Sequence, residues 1–454
     1  MYGFDQESII AQCTPRGAGA LALLRLSGID ALEIADSFCK PSSGNKITAL
    51  PSHTIHYGTV VDQSATVIDR VMFIVMHAPK TFTSQNTVEI TCHNNQFIIE
   101  AIIEQAIAHG ARLAQEGEFS KRAYLNNKLD LVQAEAINEL IHANTQMGLK
   151  KSLAQLEGSF SQWIATLEQE LFKALALSDA SFEFIDDEVS FGDQILIIIN
   201  NALATIATIK KTFNQQHHIR QGVRIALIGS VNAGKSSLFN ALLNRNRAIV
   251  TPVAGTTRDA LEAGLYRHGI YWTLIDTAGI RHTDNAIEQE GIARSYQEAQ
   301  AADIILLVKD SSRQITEQEQ KIYEDIEQRY AQKIILMHNK SDLAQELPPN
   351  TTALLVSNNN KEAIHLLEKT IEDKVEKLFT GMESPFLLNQ RQFNLVLSLE
   401  KKLQALTAMF SGTIEYELIS YELKEALTCL SELTGRSISE QGMDTVFRSF
   451  CIGK

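Results

Sequence analysis

The stretch Val223-Arg-Ile-Ala-Leu-Ile-Gly-Ser-Val-Asn-Ala-Gly-Lys-Ser-Ser237 decides the fold. Its residues Ile225 to Ile228 form an apolar run of the kind found in a strand covered on both faces. The residues from Gly229 onward fit GxxxxGK[ST] between that strand and a helix opening at Ser236. Glycines let the chain curl so that successive N–H groups face a phosphate, and the helix N-terminus adds the positive end of its dipole. Lys235 is then set to reach the terminal phosphates, and Ser236 to ligate Mg²⁺.

Downstream, further strand-like runs alternate with helical stretches: Tyr271-Trp-Thr-Leu-Ile275, Ile304-Ile-Leu-Leu-Val308, Lys333-Ile-Ile-Leu-Met337 and Ala353-Leu-Leu-Val356. This pattern predicts a parallel sheet with helices on both faces. Asp276-Thr-Ala-Gly279 ends the first of these runs, which places a carboxylate near Mg²⁺ and a glycine N–H beside a γ-phosphate. Asn339-Lys-Ser-Asp342 ends the third, and Asp342 can accept two hydrogen bonds from guanine where adenine offers no matching donors. GTP is therefore expected over ATP. Ile280 follows the Asp-Thr-Ala-Gly motif, where a Ras-type switch carries a water-orienting glutamine. A side chain without a hydrogen-bonding atom cannot orient water, so hydrolysis needs another source of charge. The Asn232 amide oxygen could hold a monovalent cation, and the segment Val250 to Asp259 could add backbone carbonyls to it and Thr257 as a Mg²⁺ ligand.

Around this α/β unit the texture differs. Residues 1–120 mix short apolar runs and turn residues and read as α+β, with a helix over Phe97 to Ala108. Leu149, Leu153, Leu156, Phe160, Trp163, Leu167, Leu171 and Ala174 recur every three or four residues and predict one long amphipathic helix. Val396, Leu399, Leu403, Leu406 and Phe410 repeat the pattern after Pro385, with Gly412 as the expected stop. The reading is a multidomain α/β chain: an N-terminal α+β domain over 1–120, a helical domain in two parts over 121–220 and 381–454, and an inserted Ras-like P-loop domain over 221–380.

Composition sets limits on function. The 454 residues exceed a single domain of roughly 150. Lys plus Arg number 41 against 54 acidic residues, a net charge of −13, which argues against a broad basic face for nucleic acid. Five cysteines without a CxxC pair suggest neither a disulfide framework nor a zinc site. The acidic start and the shortness of the apolar run Ile195 to Ile199 give no leader or membrane span, so a cytoplasmic protein is expected.

The motifs Gly-x-x-Asn-Ala-Gly-Lys-Ser-Ser, Gly255-Thr-Thr-Arg-Asp259, Asp276-Thr-Ala-Gly279 and Asn339-Lys-Ser-Asp342 resemble the potassium-activated GTPases. Ile10-Ala-Gln-Cys-Thr-Pro15, Leu24-Arg-Leu-Ser-Gly28, the run Glu116 to Ala136 and the terminal Phe450-Cys-Ile-Gly-Lys454 narrow the resemblance to the MnmE/TrmE family of tRNA uridine-modifying GTPases. The resemblance implies a folate-binding N-terminal domain that also dimerises the protein, with folate contacts at Arg25, Glu89, Lys128 and Lys454. It implies GTP contacts at Asn232, Ala233, Gly234, Lys235, Ser236 and Ser237, at Thr251, Pro252, Val253, Ala254, Gly255, Thr256 and Thr257, at Asp276, Thr277, Ala278 and Gly279, and at Asn339, Lys340 and Asp342. K⁺ ligands fall on Asn232, Thr251, Val253 and Thr256, Mg²⁺ ligands on Ser236 and Thr257, and the catalytic glutamate on Glu288. Implied as well are an FAD-containing MnmG-type partner in a heterotetramer, a tetrahydrofolate one-carbon donor, and tRNA held mostly through the partner.

Four places depart from the family pattern. Ser230-Val231 replace Arg-Pro in the phosphate loop, Pro252 restricts Thr251, Asn94-Asn95 replace Gly-Gly after His93, and Ser357-Asn358-Asn359 replace the usual guanine-contact loop. Cys451 reads equally as a nucleophile near the one-carbon donor or as a spectator thiol, and His217-His218 receive no role. The rival to a modification enzyme is a ribosome-assembly or RNA-binding GTPase switch. That class needs a basic RNA module, and no GXXG in a basic segment is present.

Overall fold

In this computed structural model the described residues are 7–183, 191–211, 213, 216–245, 261–277, 295–344, 353–357, 360–380, 386–411 and 414–453. They fall into two compact units. The first comprises Met1–Ile141, Leu153–Ile206 and Asn389–Lys454, and the second His142–Ser152 and Ala207–Leu388.

The first unit contains a seven-stranded sheet in the order β3-β4-β5-β6-β2-β1-β7. Its strands are β1 (Ile9–Gln12), β2 (Leu21–Ser27), β3 (Cys39–Pro41), β4 (Thr54–Val61), β5 (Val67–Met76), β6 (Thr87–His93) and β7 (Arg112–Leu113). Alternation along β2 and β5 buries Leu24, Leu26, Val71, Phe73 and Val75 with residues of α1 (Ala31–Phe38) and α2 (Gln96–Ala108). The opposite face keeps Ile55, Tyr57 and Met72 exposed. Next come α3 (Glu118–Leu125) and α4 (Leu131–Ile141).

The single long helix expected over Leu149 to Ala174 is two helices, α5 (Gln146–Leu156) and α6 (Ser159–Glu183). Gly158 between them sits at φ +99°, a conformation that ends a helix whatever the apolar repeat does. Leu149 and Leu153 on the first segment are exposed, so the repeat there does not mark a buried stripe. Helix α7 (Gly192–Lys211) is long and apolar enough by composition to cross a membrane, yet Ile195, Ile199, Ala202 and Ile206 are buried. The expected C-terminal helix spans Gln390–Met409 and ends just before Phe410, while Gly412 lies outside the described residues.

In the second unit a short helix α8 (Gln216–Gln221) leads into a six-stranded sheet ordered β13-β12-β11-β8-β10-β9. Its strands are β8 (Val223–Gly229), β9 (Leu261–Arg267), β10 (Ile270–Asp276), β11 (Ile304–Asp310), β12 (Ile334–Asn339) and β13 (Leu354–Leu355). The five expected strands β8, β10, β11, β12 and β13 pair parallel, and β9, which the sequence reading does not name, joins antiparallel to β10 at the edge. Its sequence Leu-Glu-Ala-Gly-Leu-Tyr-Arg hid it, because a glycine and two charges interrupt the apolar run. Gly264 is needed there: a Cβ would overlap the Tyr271 ring.

Candidate functional site

The phosphate loop lies between β8 and helix α9 (Lys235–Arg245). Asn232 takes φ +63° and Gly234 φ +89°, the curl that the spacing predicts. Gly234 has a second reason to be glycine, since a Cβ would come within 2.1 Å of the Asn339 amide nitrogen. Asn339 is buried and donates from Nδ2 to the Ala233 carbonyl at 2.8 Å. One bond thus ties the Asn339–Asp342 tetrapeptide to the loop before α9.

Lys235 is only 4% exposed, and its Nζ donates to the carbonyls of Gly229 at 2.5 Å and Ser230 at 2.6 Å. Burial pushes its pKa down to about 8, against the attraction of Asp276. Asp276 is fully buried at the end of β10, and Thr277 next to it donates from Oγ1 to the Leu227 carbonyl at 2.8 Å. Ser236, Ser237 and Asn232 are exposed at the mouth, and Ala233 is buried beneath. After β12, Lys340 adopts φ +57° and Asp342 is exposed. The Ser341 N–H donates to the Val356 carbonyl at 3.2 Å, which brings the divergent segment at Ser357 against the tetrapeptide.

Thr251, Pro252, Val253, Ala254, Gly255, Thr256, Thr257, Ala278, Gly279, Glu288 and Lys454 lie outside the described residues, as do Asn358 and Asn359. Sequence reasoning missed Tyr323, whose hydroxyl accepts from the Ser230 N–H at 2.8 Å, and Asp310, which ion-pairs with Lys340 at 2.8 Å. Asp310 ends a strand of the sheet, and strand C-termini are where ligand sites of such sheets collect. That position was the available signal. Tyr323 gives none, because nothing in a helix sequence marks which tyrosine will meet a loop.

In the first unit the structure brings together two of the folate candidates. Arg25 on β2 stands opposite Glu89 on β6, with Nη2 and Oε1 2.7 Å apart. Its guanidinium lies 5.5 Å from the centre of the Phe119 ring. Lys128 is exposed on the loop after α3, which Asn126 anchors through Nδ2 to the Thr83 carbonyl at 2.7 Å.

The C-terminal tail docks at the same sheet. Ile452 bridges Glu116, the Cys451 carbonyl accepts from the Gly117 N–H, and Cys13 Sγ donates to the Gly453 carbonyl at 3.3 Å. Gln12, which precedes Cys13, pairs with Leu24, the residue before Arg25. Asn94 and Asn95 have work of their own: the first donates to the Gly17 carbonyl at 2.7 Å, and the second caps α2 by accepting from the Phe97 N–H. Cys451 is exposed.

A family model described as the N-terminus of the GTP-binding protein TrmE matches residues 8–128, and one described as the MnmE helical domain matches 131–451. A protein of Geobacillus kaustophilus named tRNA modification GTPase MnmE is 37% identical over 100% of both chains. One of the same name from Bacillus subtilis is 34% identical, covering 99% of this chain and 100% of its own. Among solved structures, the G domain of the T. maritima FeoB iron transporter is 26% identical over 34% of this chain and 98% of that chain, with a TM-score of 0.25. Since relatives more than 30% identical match it from end to end, this chain belongs to the MnmE family of tRNA modification GTPases.

Proposed function

We propose that this protein is a potassium-activated GTPase of a tRNA-modifying enzyme. With an FAD-containing MnmG-type partner it adds an aminomethyl or carboxymethylaminomethyl group to C5 of a wobble uridine, using a tetrahydrofolate one-carbon unit. It works in the cytoplasm as a homodimer that joins the partner in a heterotetramer, and tRNA is held mainly by that partner. The observation that carries the reading is the Asn339–Ala233 hydrogen bond, which couples a guanine-selective motif to a phosphate loop with a buried lysine. The names of the full-length relatives supply the tRNA substrate.

The donors available suit the ions. Ser236, exposed at the first turn of α9, offers a hard hydroxyl oxygen for Mg²⁺, and the buried Asp276 carboxylate would reach the ion's bound water. Asn232, exposed in a left-handed turn, offers an amide oxygen for K⁺. Bound there, the cations would supply positive charge against the transferring phosphoryl group. Lys235 orients the terminal phosphates, Asp342 selects guanine and Glu288 positions water. Thr251, Val253 and Thr256 complete the K⁺ set and Thr257 the Mg²⁺ set. For folate, Glu89 accepts from the pterin's amidine-like edge, while Arg25, Lys128 and Lys454 serve as cationic contacts.

The test is GTP turnover in KCl against NaCl, together with titration of the whole chain with 5-formyltetrahydrofolate. Faster turnover in KCl and saturable folate binding are expected. Equal rates in the two salts exclude the K⁺ mechanism, and absent folate affinity would favour a GTPase switch without modification chemistry.

A further inference from the structure

Asp310 is the last residue of β11 and only 4% exposed. It lies in register with Asn339, and the next N–H, of Ser311, donates to the Asn339 carbonyl at 3.0 Å. Its Oδ2 faces two cations from different parts of the site: Lys340 Nζ at 2.8 Å and Arg313 Nε at 3.9 Å. Oδ1 accepts from the Ser312 N–H at 2.9 Å and from its hydroxyl at 2.7 Å, which fixes the carboxylate plane. Burial would raise the carboxyl pKa, but the hydrogen bonds from Lys340 and Ser312 outweigh it and hold Asp310 below the ordinary carboxylate range. The group is therefore a fixed negative charge.

Arg313 continues the connection. Its Nη2 donates to Ser230 Oγ at 3.1 Å, and its fork is held by both oxygens of Glu319 at 2.5 and 2.9 Å. Glu319 closes the capping box of the helix Glu317–Tyr330 with Thr316, and Tyr323 on that helix accepts from the Ser230 N–H. Ser230 is thus gripped through its main chain and its side chain. It stands where the family pattern has arginine, and a second guanidinium there would meet Arg313 with like charge.

We propose that Asp310 is a positioning residue that couples the guanine-reading tetrapeptide to the phosphate loop, through Lys340 on one side and Arg313 and Ser230 on the other. Lys340 carries a long, flexible side chain on a left-handed backbone. The Asp310 carboxylate holds that side chain in place before the nucleotide arrives, so that ordering it is not charged against binding. The inference rests on the GTP-site reading above and adds to it a residue that acts through Lys340 and Arg313.

The experiment measures release of N-methylanthraniloyl-GDP and GTP turnover by the full chain. Asp310→Asn, close in shape but uncharged, should speed release about tenfold, with the turnover defect falling on KM and not on kcat. Asp310→Glu should recover part of the loss. In a Lys340→Met background, adding Asp310→Asn should change release less than twofold. Arg313→Gln, at an exposed position, should speed release about threefold, an increment that vanishes beside Ser230→Ala. Release by Asp310→Asn within twofold of the parent, or an undiminished effect in the Lys340→Met background, overturns the coupling. If the parent protein fails to bind the nucleotide, it is the GTP-site reading that fails.

Discussion

Lys235 and Arg25 are both largely hidden cations at candidate anion sites, and they keep different company. Lys235 is bonded to main-chain carbonyls of its own loop, and desolvation pulls its pKa down. Arg25 is locked to Glu89 across a strand pair. The candidate nucleotide site is framed by backbone around Lys235. The sheet of the first unit is framed by charges that already neutralise one another: Arg112 and Arg122 both grip Glu118, Arg112 also holds Glu7, and Arg122 reaches Gln85. Removing a charge should accordingly break the fold of the first unit, whereas at the nucleotide site it should cost only ligand affinity.

The largest effect is expected in the sheet of the first unit. Glu118→Ala breaks the pair with Arg122, which is 1% exposed, and a broken buried pair typically costs about 3–5 kcal/mol. Chemical denaturation should show a loss of this size in the first unit, while guanine-nucleotide affinity stays within about twofold. The acid limb has a definite sign. Burial raises the Glu118 pKa, but hydrogen bonds from Arg112, the Gln115 N–H and Arg122 bring it below its ordinary 4.5. A depressed carboxylate contributes stability that is present above the unfolded value and lost as pH falls through the folded one. Glu118→Ala should flatten the stability curve below pH 4.5. A loss under about 1 kcal/mol would erase the contrast between the two frames.

Lys235→Met reverses the balance. Nucleotide affinity should drop about 100-fold, near 2.7 kcal/mol, because charge-assisted contacts to phosphate are lost. The nucleotide-free protein should melt at a higher temperature, since a desolvated cation has been removed. The linkage agrees in sign. With a folded pKa of about 8 against an ordinary 10.5, the unfolded chain binds more protons in that window, so parent stability rises with pH across it. The variant should lack that rise. A lower nucleotide-free melting temperature would mean that Lys235 holds the loop together, and the two sites would then be built alike.

The same contrast explains what could be read in advance. Gly229 to Ser237 is contiguous, and its glycines and lysine announce the loop, because the chemistry lies in backbone curl over a short span. Arg25, Glu89 and the tail are separated by most of the chain, and only family resemblance joined them. Strand β9 escaped because edge strands need no apolar run, and the break at Gly158 escaped because periodicity reports the face of a helix and says little about its continuity. Asp310 shows an intermediate case. Its strand-end position was readable, but its bond to Lys340 depends on two strands lying side by side.

The smallest expected effect tests the tail. Gly453 sits at φ +92°, and a Cβ there would come within 2.7 Å of the Gln12 carbonyl oxygen and 2.9 Å of the Cys13 Cα. Both obstacles are main chain, so no side chain can swing aside and the tail must lift. Gly453→Ala should lower global stability by only about 1 kcal/mol, the usual size of a change at a chain end. Two local readouts should move further. Hydrogen exchange at the Gly117 amide, which donates to the Cys451 carbonyl, should quicken, and 5-formyltetrahydrofolate affinity should fall about fivefold if the tail belongs to the folate site. Nucleotide release should not change. If exchange quickens while folate affinity holds, the tail is a clasp on the sheet edge and the sheet site consists of Arg25, Glu89 and Lys128 without it. If nucleotide release changes as well, the two sites are linked through the chain, and their separate construction does not make them separate in action.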